Sequence, residues 1–409
     1  MSCSLPKTDR TTALPSVAWL PSFFILVLSL LMASVYFFLP LHLKHQLRFS
    51  GWQIGVLYAA ASLNALLVTF PLGVAGDRYP LVYLLRGGLV LSSVCLYGLG
   101  RLQTYFPYLM AFWGFGLGLH AFRIALDTVL FKSVGNSSVQ ALAHYNSWRM
   151  TGMLLGTLLG GFLFYRLGFA LALQLLALVP LLLLLPTFSL PRLRVHHSPL
   201  WQYGRDFCHR PVLFFAGWLF LFCLHWGAET TSYGLFLQEN LGLAPQGMGL
   251  YMATEFGVLA LTAYLYGRSW HGRLSPLGFL SLALLTSGLG HIFMTIPNVA
   301  VSLAWRLVHG FGDALILMES YTTIARLFQV ERMGGNSSLI SLVSVSGSFA
   351  GALLFGPLGA AWGYQWPLLV SGGISLALLP LAYWGLRTGP VAASAWQGER
   401  QEGRSSSSP

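Results

Sequence analysis

Phe169-Ala-Leu-Ala-Leu-Gln-Leu-Leu-Ala-Leu-Val-Pro-Leu-Leu-Leu-Leu-Leu185 runs for seventeen residues with no charge and one polar side chain, Gln174. It is the centre of an apolar stretch from Phe169 to Leu190, and about 20 apolar residues is the length that crosses the hydrocarbon core of a bilayer. The rest of the chain repeats the pattern. Apolar runs fall at roughly 17–42, 52–75, 81–100, 105–131, 146–166 and 169–190, then at 212–237, 246–267, 276–296, 299–325, 338–361 and 366–386. Of the 409 residues, 55% are hydrophobic and 9% charged, with mean hydropathy +0.66. A soluble domain carries about 25% charged residues. No aqueous fold hides this much apolar surface, so the expected class is an all-α membrane protein with twelve transmembrane helices.

Between and around these runs lie an N-terminal tail (1–16), a polar central loop (191–211) and a C-terminal tail (387–409), the last ending in four serines and a proline and expected to be disordered. The first run is too long for a cleaved signal peptide. The net charge of +11 and pI near 9.7 come from short basic loops, not from a nucleic-acid-binding stripe. With the N-terminus inside, the inner segments hold fifteen Lys and Arg, the outer loops four (Lys44, Arg48, Arg101, Arg166) and the helices four (Arg86, Arg123, Arg149, Arg306). This bias places both termini in the cytoplasm, in what reads as a bacterial inner membrane. The cysteines, Cys3, Cys95, Cys208 and Cys223, have no metal or disulfide spacing. No metal or other cofactor is expected.

The chain repeats itself. Gly135-Asn136-Ser137-Ser138 precedes the fifth run and Gly335-Asn336-Ser337-Ser338 the eleventh. Gly152-x3-Gly156-Thr157-x2-Gly160-Gly161 follows the first motif, and Ala352-x3-Gly356-Pro357-x2-Ala360-Ala361 the second. Gly114-Phe115-Gly116 is echoed by Gly310-Phe311-Gly312. Two six-helix bundles, 17–190 and 212–386, are therefore expected as parallel pseudo-repeats, with a solute site near the midplane between them. The two Asn-Ser-Ser sequons fall on the cytoplasmic side and read as loop residues.

Gly73-Val-Ala-Gly-Asp77-Arg78-Tyr-Pro80 resembles the loop motif between helices two and three of the major facilitator superfamily, with Pro80, Leu81 and Val82 where that family usually has glycine and basic residues. The helix-five glycines resemble a motif of that superfamily's proton-coupled antiporters, with Thr157 in place of the usual proline; the helix-eleven copy keeps Pro357. Arg306-x2-His309-Gly310-x-Gly312 resembles the superfamily's helix-four arginine–glycine motif, displaced into helix ten. Length, helix count and repeat extend the resemblance over nearly the whole chain. It implies alternating access around a cavity lined by helices 1, 4, 7 and 10, and a cytoplasmic latch at Asp77 and Arg78. The depth of Asp127 makes it an expected electrostatic partner of that latch.

Ionisable residues inside the helices are the sharpest signal, since each costs roughly 2.5–3.5 kcal/mol at the bilayer centre unless it meets a polar cavity or a partner. At 100° per residue, Asp313 lies about 20° and His309 about 60° from Arg306, so all three share one face of helix ten. His225 and Glu229 are four apart on helix seven, Glu255 lies on helix eight, and His120, Arg123 and Asp127 share a face of helix four. Glu229, Glu255 and Asp313 are candidates for proton coupling, His225 and His309 for the same pathway, and Arg306 or Arg123 for holding an anionic solute. The alternative for each is a structural ion pair. Gly152, Gly156, Gly160, Gly161, Gly356 and Pro357 are expected to form close helix-packing seams. Helix one carries no carboxylate, which lowers cationic drug export. No Gly-x4-Gly-Lys-[Ser/Thr] motif is present, so ATP drive has no support in the sequence.

The reading that results is a secondary transporter of a small organic solute, not an enzyme, with the bilayer, the solute and protons as its partners. Two other classes stay open at this point. One is a non-transporting receptor or assembly factor on the same fold; the other is a lipid- or acyl-modifying enzyme built on His309-x3-Asp313. Solute identity, transport direction and oligomeric state are open as well.

Overall fold

The computed structural model of the chain describes residues 19–134, 139–190, 193, 195–271, 273 and 275–387. The expected tails (Arg387 excepted), the Gly135–Ser138 motif, Arg192 and Arg194 lie outside the described residues. The described backbone is helical or turning, with no strand. Ten of its helices are long and apolar enough to cross a membrane. One of these, Val139–Ser189, is 51 residues long and breaks at Gly168; a shorter apolar helix, Leu277–Phe293, adds a further crossing.

The twelve crossings are α1 (Trp19–Leu41), α2 (Gly51–Arg78), α3 (Leu81–Leu99), α4 (Tyr105–Val134), α5 (139–167), α6 (169–184), α7 (Arg210–Ala228), α8 (Pro245–Leu265), α9 (Pro276–Phe293), α10 (Val299–Leu327), α11 (Met333–Trp362) and α12 (Gln365–Arg387). Side chains cap several starts. Ser50 and Gln53 form a reciprocal capping box on α2, Ser275 accepts from the Gly278 amide on α9, and Asn298 from the Val301 amide on α10. Gly168 (φ 72°) and Gly363 (φ 104°) turn α5 into α6 and α11 into α12 in a backbone region that side chains resist. The central loop is more structured than the sequence suggests. It contains a short helix, Leu200–Phe207, whose Tyr203 is fully buried.

Packing follows the repeat. In the first half α1 lies on α5, α3 on α4 and α6, and α2 on α4; in the second, α7 lies on α11, α9 on α10 and α12, and α8 on α10. The halves meet through two related pairs, α2 with α11 and α5 with α8. Glycines set the closest approaches. A Cβ on Gly152 or Gly156 would run into the carbonyl of Leu26 or Leu30 on α1, and one on Gly347 or Gly351 into that of Phe220 or Leu224 on α7. Gly152/Gly347, Gly156/Gly351 and Gly168/Gly363 are each 195 positions apart.

That interval corrects the expected second seam. Gly356 has no neighbour nearer than Thr231 at 3.8 Å, and Pro357 is exposed. The small residues that meet α7 lie five positions earlier, because α11 presents small side chains on two faces and spacing alone does not say which face is covered. Both glycine seams also lie inside a half, not on the surface between halves.

Candidate substrate and coupling site

The second half buries a continuous ionic network. Arg306 of α10 pairs through Nη1 with Glu229 and through Nη2 with Glu255 of α8, and its guanidinium lies 4.2 Å from the centre of the Tyr233 ring. Glu229 opens a π-helical turn, Glu229–Tyr233, that continues α7. The wider turn is a local feature common at functional sites. One turn deeper, His309 Nε2 is 3.1 Å from Glu229 and 3.7 Å from Asp313 Oδ2, while His225 Nε2 is 2.9 Å from the same Asp313 oxygen. Ser287 of α9 donates to Asp313 Oδ1 (2.7 Å), and Trp226 Nε1 donates to Oδ2 (3.2 Å). His291 stacks on His309 with 4.5 Å between ring centres. Arg306, His309, His225, Asp313 and Glu255 are all buried.

Hydrogen bonds fix the tautomers. His225 Nδ1 faces the carbonyl of Phe222 at 2.6 Å, and His309 Nδ1 that of Ser287 at 2.8 Å. A carbonyl only accepts, so each Nδ1 carries hydrogen. Each Nε2 then faces a carboxylate oxygen, a contact that is favourable only with a second proton between them. Three carboxylates stand against one guanidinium here, so two further protons shared among the imidazoles and carboxylates bring the network to neutrality. His225, Glu229 and His309 also offer ligand atoms within 4.8 Å of one another, a spacing that fits a metal ion. Glu229 Oε1 is already shared by Arg306 and His309, so a metal cation there competes with a guanidinium for the same carboxylate.

Trp226 forms part of the wall between this network and a cavity of about 710 Å³. The resemblance implies a lining by helices 1, 4, 7 and 10. Three of these, α4, α7 and α10, line the cavity, together with α2, α5 and α11; among the described residues α1 gives no lining residue, as it is drawn onto α5 by the glycine seam. Arg123 and Asp127 of α4 and Arg149 of α5 carry the cavity's charge. Asp127 accepts hydrogen bonds from Tyr145 (2.6 Å) and Tyr321 (3.5 Å), and Arg149 donates to Tyr321 (3.2 Å). Among the described residues no ion pair joins either arginine to Asp127, and the Nε of Arg123 is buried without a hydrogen-bond partner.

Below the cavity the halves are latched. Asp77, fully buried at the end of α2, accepts from the amides of Gly334 (2.9 Å) and Gly335 (2.8 Å) at the start of α11 and from Tyr203 (3.1 Å), and pairs with Lys132 of α4 at 2.8 Å. A carboxylate at a helix N-terminus also meets the positive end of the helix dipole. Arg78 ties the central segment through the Ser198 carbonyl (2.8 Å). Asp206 takes a bidentate pair from Arg332 (2.7 and 3.2 Å) and a bond from Asn336 (3.0 Å). Burial raises the Asp206 carboxyl, but the bonds from Arg332 and Asn336 outweigh it and hold the group below the usual carboxylate range. Asp127 takes no part in this latch; it lies in the cavity, about two turns up α4 from the helix end at Val134. Asn336 is a buried helix residue, not a loop residue.

The structure thus brings His225, Glu229, Glu255, Arg306, His309 and Asp313 together and puts Arg123 elsewhere. Glu319 stands apart, accepting from Tyr266 at 2.8 Å. Sequence reasoning misses Trp226, Arg149 and Tyr321 in the cavity, Tyr145 behind Asp127, and Lys132, Tyr203, Asp206 and Arg332 in the latch. Arg149 alone carried a signal, as a charge inside an apolar run.

The sequence profile of the Major Facilitator Superfamily matches residues 22–275 and again 219–409. A multidrug resistance protein B homolog of Mycobacterium tuberculosis is 30% identical over 86 residues; that match spans 21% of this chain and 16% of the relative. Among solved structures, the human organic anion transporter MFSD10 superposes with a TM-score of 0.76 at 16% identity, covering 90% of this chain and 98% of that one. The E. coli fucose:proton symporter superposes at 0.69 and 13% identity, covering 89% and 99%. A bacterial homologue of the iron transporter ferroportin in an outward-facing state superposes at 0.66 and 19% identity, covering 90% and 97%. At these identities the structural likeness speaks for the fold alone.

Proposed function

We infer the function of this chain from a premise now in place: it belongs to the Major Facilitator Superfamily, a family of transporters, and is an integral, multi-pass membrane protein. It works as a secondary transporter of a small organic solute, by alternating access, with protons as the coupling ion. The observation that carries the coupling is the pair of carbonyl-fixed histidines, His225 and His309, each aiming Nε2 at a carboxylate of a network that needs two extra protons to be neutral. Trp226 connects the two sites, since it lines the cavity and also donates to Asp313. A solute pressing on the indole changes the hydrogen bonds of Asp313, and so the hold of the network on its protons. The latch at Asp77 supports an outward-facing conformer, with both termini and the latch on the cytoplasmic side of a bacterial inner membrane.

Among the described residues the first half has no counterpart of this network at the equivalent place. Beside Gly116, where Glu255 sits beside Gly310 in the second half, lies the uncharged Asn64, and Tyr36, Tyr58, Phe112 and Phe115 fill the space around it.

The test is solute-driven proton movement in proteoliposomes containing the purified protein and a trapped pH dye. A responsive solute pool is expected to acidify or alkalinise the lumen. Glu229→Gln, Glu255→Gln and Asp313→Asn are expected to abolish pH-driven uptake while sparing solute exchange at equal pH. Intact pH-driven uptake in all three variants would refute proton coupling through this network.

A further inference from the structure

We propose that the solute is an amphiphilic organic anion, its acidic group held by Arg123 and Arg149 and its apolar body by the remaining cavity wall; this rests on the transporter reading above. The charged side chains lining the cavity are two arginines and one aspartate, a net excess of one positive charge. The aspartate offsets the arginines through space, without a direct ion pair among the described residues. Its carboxylate is engaged by the hydroxyls of Tyr145 and Tyr321, and no ion pair reaches it from Arg123 or Arg149 among the described residues.

A guanidinium has five donors in a rigid fork. Arg149 spends one on Tyr321, and Arg123 keeps a buried Nε with no partner at all. Charges at membrane depth are retained where they face a polar cavity or a partner. Here the missing partner is an acceptor, and the space for it is the cavity. Carboxylate, sulfonate and phosphate groups match the fork bidentately. Arg306, the other arginine that the sequence offers for this task, also has a buried Nε without a partner, but both of its terminal nitrogens are taken by Glu229 and Glu255, so no two-nitrogen fork is left for a solute.

The volume and the other walls complete the description. About 710 Å³ falls within the roughly 300–1,000 Å³ of sites for drug-sized ligands. Tyr58, Leu219, Trp226, Ile316 and Phe349 give an apolar, partly aromatic surface away from the arginines. A small hydrophilic anion would leave that surface unused, and a cation would face two guanidiniums at close range.

The experiment is equilibrium binding to the purified protein, followed by thermal shift and calorimetry, with three matched probes on a benzene ring, benzoate as the anion, benzamide as the neutral form and benzylamine as the cation, and with 1-naphthoate as a larger anion. The anions are expected to stabilise the protein, naphthoate more than benzoate, and benzamide and benzylamine to do so weakly or not at all. Arg123→Gln and Arg149→Gln should each weaken anion binding about 10- to 100-fold. Arg123→Lys keeps the charge without the fork and should lose about 10-fold or less. Anions no better than benzamide, tighter binding of benzylamine, or unchanged anion affinity in both glutamine variants would each overturn the proposal. Glu255→Gln separates the two readings. Retained naphthoate binding with loss of pH-driven uptake is the expected result. Unaltered uptake by Glu255→Gln, Glu229→Gln and Asp313→Asn, with arginine-dependent naphthoate binding, faults the coupling alone.

Discussion

Replacing Asp77 with asparagine is expected to loosen the seal between the halves without removing the side chain's volume. On opening, Lys132 stays with Asp77, because both belong to the first half, so the ion pair contributes little to the difference between states. The bonds that break are those to the amides of Gly334 and Gly335 of the second half, at 2.9 and 2.8 Å, each to its own carboxylate oxygen. An asparagine has one accepting oxygen and an amide nitrogen that faces the second N–H donor to donor. At least one charge-assisted bond is lost, about 1.5–3 kcal/mol. At about 1.4 kcal/mol per factor of ten, the open population rises about 10- to 100-fold. The assay is the labelling rate of a cysteine at Ser338, which is buried against Gly73 in the closed seam, in a background where Cys3, Cys95, Cys208 and Cys223 are replaced. A membrane-impermeant maleimide added on the latch side should react faster by the same factor. An unchanged rate, in a variant that keeps the parent's melting temperature, would refute the assignment of Asp77 as the tie between halves.

Other expectations follow from the same geometry. Gly152→Val and Gly351→Val each drive a side chain into a carbonyl of the partner helix and should lower thermal stability by the 1–3 kcal/mol or more typical of overpacking, whereas Gly356→Ala meets only Thr231 at 3.8 Å and should be neutral or stabilising in the same melt. Trp226→Phe keeps an aromatic wall but removes the donor to Asp313, so solute binding should persist while the pH dependence of transport moves. The Asp206 carboxyl is held below its ordinary value of 3.8. Its contribution to the latch is therefore full above that value and fades as pH falls through the lowered one; Arg332→Ala should abolish this acid dependence of Ser338→Cys labelling.

The sequence by itself determined the solvent, the number of crossings and the existence of two related halves. Charge-free runs such as 169–185 have no place in water, and the repeated motifs carry the symmetry. It also picked out the ionisable groups of the second half, because charge at membrane depth is too costly to be incidental and helical periodicity puts Arg306, His309 and Asp313 on one face. The tertiary structure alone decided which groups across helices are partners. Periodicity fixes angles within a helix but not the register between helices, so it left Arg306 and Arg123 as equal candidates for the solute until Glu229 and Glu255 were found paired with the first and, among the described residues, no ion pair was found on the second. The same limit moved the second glycine seam from Gly356 to Gly347 and Gly351. It also hid the partners of the latch residue Asp77: Lys132, Tyr203, Gly334 and Gly335 are far from it along the chain and share no spacing with it, and Asp206 and Arg332 are as far from each other. A buried carboxylate on two backbone amides is a contact that only the packed halves create.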